Sequence, residues 1–211
     1  FADTYFKTIS DSLKWHAPNH LLLGGRFSVS TPEAVASCAQ YCDVLSFNFY
    51  TLQPQDGYDF AKLRELNKPV MITEFNFGSR DRGPFWGGVT EVANEEARGP
   101  AYAKFIKQAV ADPSIVGVHW FQYLDQPVTG RLLDGENGDF GMIGITDMHF
   151  TGFVESVRKT NLQALDQLGD EAAKAQVDAE HAVKAARQTP QEGNGERSGT
   201  GHAGGHSGKG H

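Results

Sequence analysis

The sequence lacks the features that mark a membrane-spanning or nucleic-acid-binding protein. No apolar run approaches the roughly 20 residues that a transmembrane helix needs, and no basic-plus-apolar signal segment is visible. The chain has 19 lysine and arginine residues against 26 aspartate and glutamate residues, for a net charge of −7. Because phosphate contacts need clustered basic side chains, we expect neither a membrane partner nor a nucleic-acid partner.

Cysteine is also scarce, with Cys38 and Cys42 as the only two residues of this type. They are one helical turn apart, and thiols on one helix more often pack as small apolar groups than pair or bind metal. Three histidines at 202, 206 and 211 stand among glycines without the spacing or the cysteine partner of a tetrahedral site. The sequence therefore predicts no metal site and no cofactor.

What the sequence does contain is a regular alternation of strand and helix patterns, which predicts a parallel α/β sheet. Thr31 followed by Pro32 is a strong helix start. No glycine-rich phosphate turn follows any strand, and the first helix has no strand before it. The pattern favours half of a (β/α)8 barrel over an open α/β sheet. The predicted strands are 21–23, 44–50, 70–73 and 115–121, and the predicted helices are 2–16, 31–41, 60–66, 95–110 and 150–168.

Composition divides the chain into three predicted regions. Residues 1–168 carry the strand and helix patterns and form a partial barrel domain without its N-terminal half. Residues 169–188 are rich in Ala, Glu, Lys and Gln, which predicts a solvated helical extension. Residues 189–211 are rich in Gly, Ser and His, and they lack the apolar content to order themselves, which predicts a disordered tail.

Glu74 is the strongest catalytic candidate. It follows the apolar run Val70, Met71 and Ile72, which is typical of a parallel strand covered on both faces, and Pro69 stands at the strand start. A carboxylate at the C-terminal end of such a strand lies at the mouth of the barrel, where catalysis occurs. We therefore predict that Glu74 acts as a nucleophile, with a buried structural acid as the alternative.

A second candidate is Trp120, at the end of the last predicted strand and thus at the same mouth. An aromatic face can cover the C–H surface of a sugar while nearby polar groups orient its hydroxyls. Core packing of the indole is the alternative, and Tyr50 is either a donor to Glu74 or a structural anchor. The polar residues available to orient a sugar are Asn48, Tyr50, His119 and Gln122.

Long connections follow the last two predicted strands, at 76–94 and 125–149, and loops of this length are usually functional or disordered. Asp134, Glu136 and Asn137 in the second loop are candidates for contacts to sugar hydroxyls, with a calcium site or a solvated turn as alternatives. Arg26 and Arg131 can each position a carboxylate or hydroxyl through a planar fork, or serve a surface role.

Several segments together resemble the catalytic domain of β-agarase-type glycoside hydrolases, most closely family 50, within the clan of retaining (β/α)8-barrel glycosidases. They are residues 18–27, 72–78, 81–83, 119–131 (HWFQYLDQPVTGR) and 134–137. The resemblance covers roughly residues 5–160 and implies the C-terminal half of the barrel, strands five to eight. It implies Glu74 as the nucleophile, Trp120 as the sugar platform and Tyr50 as the sixth-strand residue beside the nucleophile.

The same resemblance implies a second carboxylate that this chain does not supply. The acid/base of this clan lies in an Asn-Glu pair at the end of the fourth strand, whereas Asn94-Glu95 stands at a helix start after the nucleophile strand. Retaining hydrolysis needs two carboxyl groups about 5–5.5 Å apart. We therefore expect these 211 residues alone to be inactive, and the family suggests a secreted or periplasmic protein.

The sequence thus predicts hydrolysis of β-linked galactans, most specifically agarose or agaro-oligosaccharides. A β-galactosidase acting on short oligosaccharides and a noncatalytic carbohydrate-binding protein, with Trp86 and Trp120 as its sugar surfaces, remain alternatives. The predicted partner is a galactan, and oligomeric state is left open. The predicted substrate-binding residues are Asn48, Tyr50, His119, Trp120, Gln122, Asp125, Arg131, Glu136 and Asn137.

Overall fold

The computed structural model describes residues 1–82 and 86–188. The predicted tail 189–211, including its histidines, and the loop residue Phe85 lie outside the described residues. Within the described ranges, no helix combines the length and apolar character that crossing a membrane requires. The chain divides into two units, of which the first is Phe1–Gly169 and the second begins at Asp170.

The first unit is an α/β fold built on three parallel strands. The strands are β1 (Leu45–Asn48), β2 (Val70–Phe75) and β3 (Ile115–Trp120), paired in the order β1-β2-β3. Consecutive strands are neighbours, so each connection crosses over to the adjacent position. All three strands run in one direction and bring their carboxyl ends to the same edge. The helices are α1 (Ala2–His16), α2 (Pro32–Tyr41), α3 (Phe60–Glu65), α4 (Glu95–Val110) and α5 (Thr151–Gln188).

The helix starts follow their capping residues. Thr31 accepts a hydrogen bond from the backbone of Ala34 at the start of α2, and Pro32 is the first helical residue. Asp59 caps α3 in the same way, accepting from Ala61 and Lys62. At the start of α4, the Asn94 side chain accepts a hydrogen bond from the backbone N–H of Ala97. The core lies where these helices cover the sheet, with Val35, Phe47, Leu63, Ile72, Phe105 and Phe153 among its buried residues.

The predicted strand at 21–23 is absent, although backbone hydrogen bonds hold its segment beside the residues that lead into β1. Leu22 bonds to Asp43 and Val44, and Phe27 forms a single parallel bridge to Phe47. Between these two points the backbone adopts positive φ at Gly24 (+80°) and Arg26 (+47°). A left-handed residue breaks the extended geometry that a ladder needs. The described sheet therefore has three strands, not four.

The second unit starts within α5, which continues through Gln188. Side chains 170–182 in this unit are exposed. Within the first unit, Cys38 and Cys42 are buried free thiols, and burial raises the pKa of Cys38 to about 12. Both therefore pack as neutral apolar groups.

Candidate active site

Glu74 lies next to the end of β2, opposite Asn48 of β1. Its side chain is 17% exposed, so it is accessible from the edge where the strands end. One carboxylate oxygen accepts a hydrogen bond from the Tyr50 hydroxyl, and the other accepts from the Arg26 guanidinium. The two donors hold the carboxylate in one orientation at the strand end, where it can attack an electrophile.

Tyr50 and Arg26 reach Glu74 from the segments on the β1 side of the sheet. Tyr50 follows β1 by two residues. Burial, reinforced by the hydrogen bond to Glu74, raises the pKa of Tyr50 well above its ordinary value, so the phenol keeps its proton and remains a donor. Arg26 has a left-handed backbone conformation, and its backbone N–H donates to Ser46 Oγ at 2.9 Å. The bent segment that failed to form a strand thus directs this guanidinium to Glu74.

A cavity of about 220 Å³ opens in front of Glu74, and we call it the Glu74 cavity. Part of its wall is aromatic, and Phe121 stands edge-on to Tyr50 with ring centroids 6.3 Å apart. A larger cavity of about 550 Å³ lies between the starts of α4 and α5 and contains none of the predicted site residues. The Glu74 cavity is lined by Tyr50, Glu74, Asn76, Trp86, Gly88, Val89, Phe121, Arg131, Glu136 and Phe140.

The loop after β3 contributes a charged wall to this cavity. Arg131 donates to Asp134 at 2.6 and 2.7 Å and to Glu136 at 3.1 Å. The Arg131 hydrogen bonds hold the pKa of Asp134 down at about 2. Fully buried Gln126 donates to Glu136 at 2.6 Å and accepts from the Gly138 N–H at 2.7 Å. Glu136 is therefore fixed from two sides with its carboxylate at the cavity wall.

Four of the predicted residues meet at the cavity: Glu74, Tyr50, Arg131 and Glu136. They come from three places that are distant in sequence, the ends of β1 and β2 and the loop after β3. The hydrogen bond that was one of two interpretations of Tyr50 is present. Arg26, for which a role in positioning a carboxylate was one of two possibilities, does bind Glu74.

Trp120 does not line the Glu74 cavity, and its contacts agree with core packing, the alternative to a sugar platform. Its indole packs against Phe75, Tyr102 and Phe153 at centroid distances of 5.1–5.7 Å. Its N–H donates to the Phe140 carbonyl at 3.0 Å. The side chain therefore belongs to the aromatic core under α4 and α5. The aromatic rings that do face the cavity are those of Trp86, Phe121 and Phe140.

Asp125 also differs from its predicted role of substrate contact. Its carboxylate is 6% exposed and accepts from Arg82 at 2.9 and 3.4 Å. A third hydrogen bond comes from the Gly141 N–H at 2.6 Å. These partners occupy both oxygens, so Asp125 links the two long loops and does not face the cavity.

The remaining predicted residues lie near the strand ends without lining the cavity. Asn48 Oδ1 accepts from Thr73 at 2.9 Å, and Gln122 donates to the Leu124 carbonyl at 2.9 Å. His119 is exposed, and Asn137 is partly buried beside Glu136. The structure therefore does not bring these four together with Glu74 in one cavity.

Asn76 and Phe121 line the cavity but were missed by the sequence interpretation. Side chains alternate between faces in extended backbone, and Asn76 stands two residues after Glu74. This alternation was the available signal for Asn76. Phe121 comes one residue after Trp120. Which of the two rings faces the cavity depends on the side of the backbone from which each side chain projects.

The acidic loop does not assemble as a cation site. Among the described residues, no group of three or more His, Cys, Asp or Glu side chains is placed to hold a metal ion. Both oxygens of Asp134 are occupied by Arg131. A guanidinium at this position disfavours a cation electrostatically, so the calcium alternative has no geometric support.

Two curated relatives of this chain are β-agarases. The chain is 43% identical over 159 residues to β-agarase B of Vibrio sp. (strain JT0107), and 38% identical over 167 residues to β-agarase A of the same organism. These alignments cover 74% and 76% of this chain but only 17% of each relative. The chain thus spans about a sixth of the length of the curated relatives it matches. No family model matches the sequence.

Solved structures agree with the sequence relatives. The structure of an exo-β-agarase superposes with a TM-score of 0.74 at 37% identity, over 78% of this chain and 22% of that protein. A family 50 protein, PfGH50B, also gives a TM-score of 0.74 at 37% identity, over 79% of this chain and 24% of that protein. The α/β arrangement described above is therefore similar to part of the agarase domains in these structures.

Proposed function

We propose, from the premise that this chain is a glycoside hydrolase family 50-like segment, that it forms the nucleophile-bearing half of the catalytic barrel of a retaining β-agarase. The substrate is agarose or its oligosaccharides, and Glu74 is the group that attacks the sugar. The single observation that carries this proposal is the placement of Glu74 at a strand end, held by Tyr50 and Arg26 and open to a cavity.

The cavity chemistry supports a sugar ligand. Trp86, Phe121 and Phe140 offer apolar ring surface to the cavity, and Arg131 and Glu136 offer charged hydrogen-bonding groups to it. Sugars present both kinds of surface, since their C–H faces stack on aromatic rings while their hydroxyls bond to polar groups. The named relatives are β-agarases, which points to a galactan among sugars.

The proposed reaction is a double displacement. A Glu74 oxygen forms a bond to the anomeric carbon as the bond to the leaving oxygen breaks, and an acid outside this chain gives the leaving oxygen its proton. The same group then takes a proton from water, which attacks the anomeric carbon and releases Glu74. Two inversions give net retention of configuration.

Glu136 is the other carboxylate of the cavity, and its contacts disfavour the acid role. Its two oxygens accept from Gln126 and Arg131, whereas a general acid must donate a proton to the leaving group. We assign Glu136 to substrate orientation. The acid/base then comes from a part of the catalytic domain that these residues do not include.

For the architecture, we propose that the chain forms strands five to eight of a (β/α)8 barrel. The bridge at Phe27, then β1, β2 and β3, provides four parallel positions in consecutive order. Helices alternate with these positions. In such a barrel the β2 end is the seventh-strand end, and catalytic residues gather at the carboxyl ends of strands.

The test is hydrolysis of agaro-oligosaccharides by the complete gene product, with anomeric configuration followed by NMR. We expect retained configuration and a rate loss on the order of 10⁴-fold or more for Glu74→Gln. Glu91→Gln is the matched control, because Glu91 is also paired with an arginine, Arg80, at 2.6 Å, but lies outside the cavity wall.

A rescue experiment distinguishes the nucleophile from a merely structural acid. Glu74→Gly leaves space for azide, which can attack the anomeric carbon and yield a glycosyl azide of inverted configuration if the acid/base is intact. Cleavage of short β-galactosides only would indicate the β-galactosidase alternative. Binding of galactans without any turnover by the complete protein would indicate the binding protein.

A further inference from the structure

We propose that Gln126 is a positioning residue of the Glu74 cavity, whose buried amide holds the Glu136 carboxylate in the orientation that receives hydroxyls of the bound sugar. The role rests on the proposed function, in which Glu136 orients the substrate. Gln126 does not line the cavity itself, so it acts on the sugar only through Glu136. It thereby determines how tightly the site binds a galactan, and not how fast Glu74 attacks it.

Burial separates the two residues of this pair. Gln126 is 1% exposed, whereas the Glu136 side chain is 22% exposed and lines the cavity. The Gln126 amide nitrogen donates to Glu136 Oε1 at 2.6 Å, and its oxygen accepts from the Gly138 N–H at 2.7 Å. An amide with both ends bonded in the interior has one orientation. Glu136 is therefore held by a group that solvent does not reach.

The chemistry of the two partners fixes which end of the amide faces each of them. A carboxylate oxygen accepts and a backbone N–H donates, so the nitrogen faces Glu136 and the oxygen faces Gly138. The backbone of Gln126 adds a second link, because its N–H donates to the Gly138 carbonyl at 3.1 Å. Gly138 is itself bridged to Trp86. The amide is thus anchored to a paired segment of backbone.

The other donor to Glu136 is a weaker anchor. Arg131 donates to Glu136 Oε2 at 3.1 Å from a side chain that is 38% exposed, and solvent screens ion pairs at such positions. Arg131 also divides its hydrogen bonds between Glu136 and Asp134. Gln126 is therefore the donor that determines where the Glu136 carboxylate lies. Each oxygen of Glu136 can accept a further hydrogen bond, which leaves acceptor capacity for sugar hydroxyls.

Fixing Glu136 before the sugar arrives strengthens binding, because the freedom of its side chain is already lost. Ordering one flexible side chain during binding weakens a complex by about twofold to tenfold. The groups proposed for the attack, Glu74 with its donors Tyr50 and Arg26, come from other segments. Loss of the Gln126 amide should therefore raise KM by about twofold to tenfold and change kcat by less than about twofold.

The experiment compares Gln126→Met, Glu136→Ala and the double variant in the complete gene product, with an agaro-oligosaccharide as substrate. Methionine has nearly the length of glutamine and carries no N–H donor on its side chain. We expect Gln126→Met to raise KM by about twofold to tenfold in the wild-type background. In the Glu136→Ala background it should leave KM unchanged, because the residue through which Gln126 acts is gone.

Gln108→Met is the matched control. The Gln108 amide also donates to a side chain, that of Gln53 at 3.2 Å, but Gln108 lies outside the cavity wall. This variant should leave KM and kcat unchanged. If Gln126→Met instead raises KM equally in the wild-type and Glu136→Ala backgrounds, the effect belongs to the loop as a whole and the proposal is overturned.

Melting temperatures separate a folding defect from the positioning role. Gln126→Met deprives the Gly138 N–H of its partner, so it should melt lower in both backgrounds, and KM is measured below both melting temperatures. If Gln126→Met does not fold, Gln126→Asn replaces it, because asparagine keeps an amide but is one carbon shorter and does not span from Gly138 to Glu136. The same dependence on Glu136 is expected, and its absence would equally overturn the proposal.

The proposed function and the role of Gln126 fail separately in this design. If agaro-oligosaccharides are hydrolysed through Glu74 but the effects at Gln126 and Glu136 simply add, the role of Gln126 is wrong and the proposed function stands. If no galactoside is hydrolysed, dissociation constants of the same variants replace KM, and dependence of Gln126 on Glu136 there supports the positioning role without the reaction. Absence of galactoside binding would overturn both.

Discussion

Two groups of arginines and carboxylates lie a short distance apart in this fold, and they differ in burial. The pocket group lines or adjoins the Glu74 cavity and stays partly open to solvent. The buried group joins the two long loops. The pocket group consists of Arg26, Glu74, Arg131, Asp134 and Glu136, and the buried group consists of Arg82, Glu95, Arg98, Asp125 and Asp139.

The difference shows that the same residue type has a structural role in one group and a role at the cavity in the other. Arg98, fully buried, donates to the Phe77 carbonyl at 2.8 Å and to the Gly141 carbonyl at 2.7 Å. It thereby connects the loop after β2 to the loop after β3. Arg131, 38% exposed on its side chain, binds only residues of its own loop and presents Glu136 to the cavity. Burial makes one arginine a structural link and leaves the other near the ligand.

The largest expected contrast in stability is between Arg98→Met and Arg131→Met. Removing Arg98 leaves the Phe77 and Gly141 carbonyls without this buried donor and leaves Glu95 paired with Arg82 alone. The loss should lower the free energy of unfolding by about 3–5 kcal/mol. Arg131 is screened by solvent, so its loss should cost less than about 1 kcal/mol. Denaturant unfolding of the complete gene product measures both. Equal costs for the two variants would contradict the division into a buried group and a pocket group.

A second contrast compares two tyrosine hydroxyls. Tyr50→Phe removes the donor to Glu74 and keeps the ring against Phe121, so kcat should fall about tenfold to a hundredfold with little change in melting temperature. Tyr102→Phe is the control, because its buried hydroxyl binds Asn161 at 2.8 Å, away from the cavity. It should lower stability by about 1 kcal/mol and leave kcat unchanged. The reverse pattern would remove Tyr50 from the proposed reaction.

The smallest expected effect is a pH dependence in the buried group. Burial raises the pKa of Asp139 to about 6, with opposing influences from Arg82 and Arg98 and reinforcing ones from Asp125 and Glu95. Below about pH 4 the carboxyl is protonated in both the folded and the unfolded chain, and it costs nothing. Between about pH 4 and 6 it ionises first in the unfolded chain, so its contribution to stability falls and stays low above pH 6.

Asp139→Asn removes this titration. The free energy of unfolding of Asp139→Asn should therefore increase relative to that of the wild type as pH rises from 4.5 to 8, by on the order of 1–2 kcal/mol. Asp134→Asn in the pocket group is the control, because the pKa of Asp134 lies at about 2 and the carboxyl stays ionised throughout that range. A pH-independent difference between Asp139→Asn and the wild type would contradict the raised pKa.

Predictions from the sequence were accurate where a feature depends on neighbouring residues. Thr31 with Pro32 marked the start of α2, and the apolar run before Glu74 marked β2. The predicted strand at 21–23 was wrong because Gly24 and Arg26 take left-handed backbone conformations, which the apolar triplet before them did not reveal. That same bend carries Arg26 to Glu74.

At the candidate site the structure differs from the sequence interpretation for two reasons. One is the face of the backbone from which a side chain projects, and the other is pairing with residues distant in sequence. Trp120 and Phe121 are adjacent, and in extended backbone a shift of one residue exchanges core and cavity. The pairing of β2 with β3 is irregular between Ile72 and Phe75, so a count along the strand does not determine which ring faces the cavity. Asp125 finds its partner Arg82 43 residues earlier in the chain, and no local pattern carries that pairing.

The sequence by itself determined the parallel α/β character, the family resemblance and the placement of Glu74 at a strand end, because apolar runs, capping residues and strand-end motifs are local. The tertiary structure decided which arginines are buried and which aromatic rings face the cavity. These properties depend on how segments distant in sequence approach one another, since burial and pairing belong to the packed chain and not to any one stretch of it.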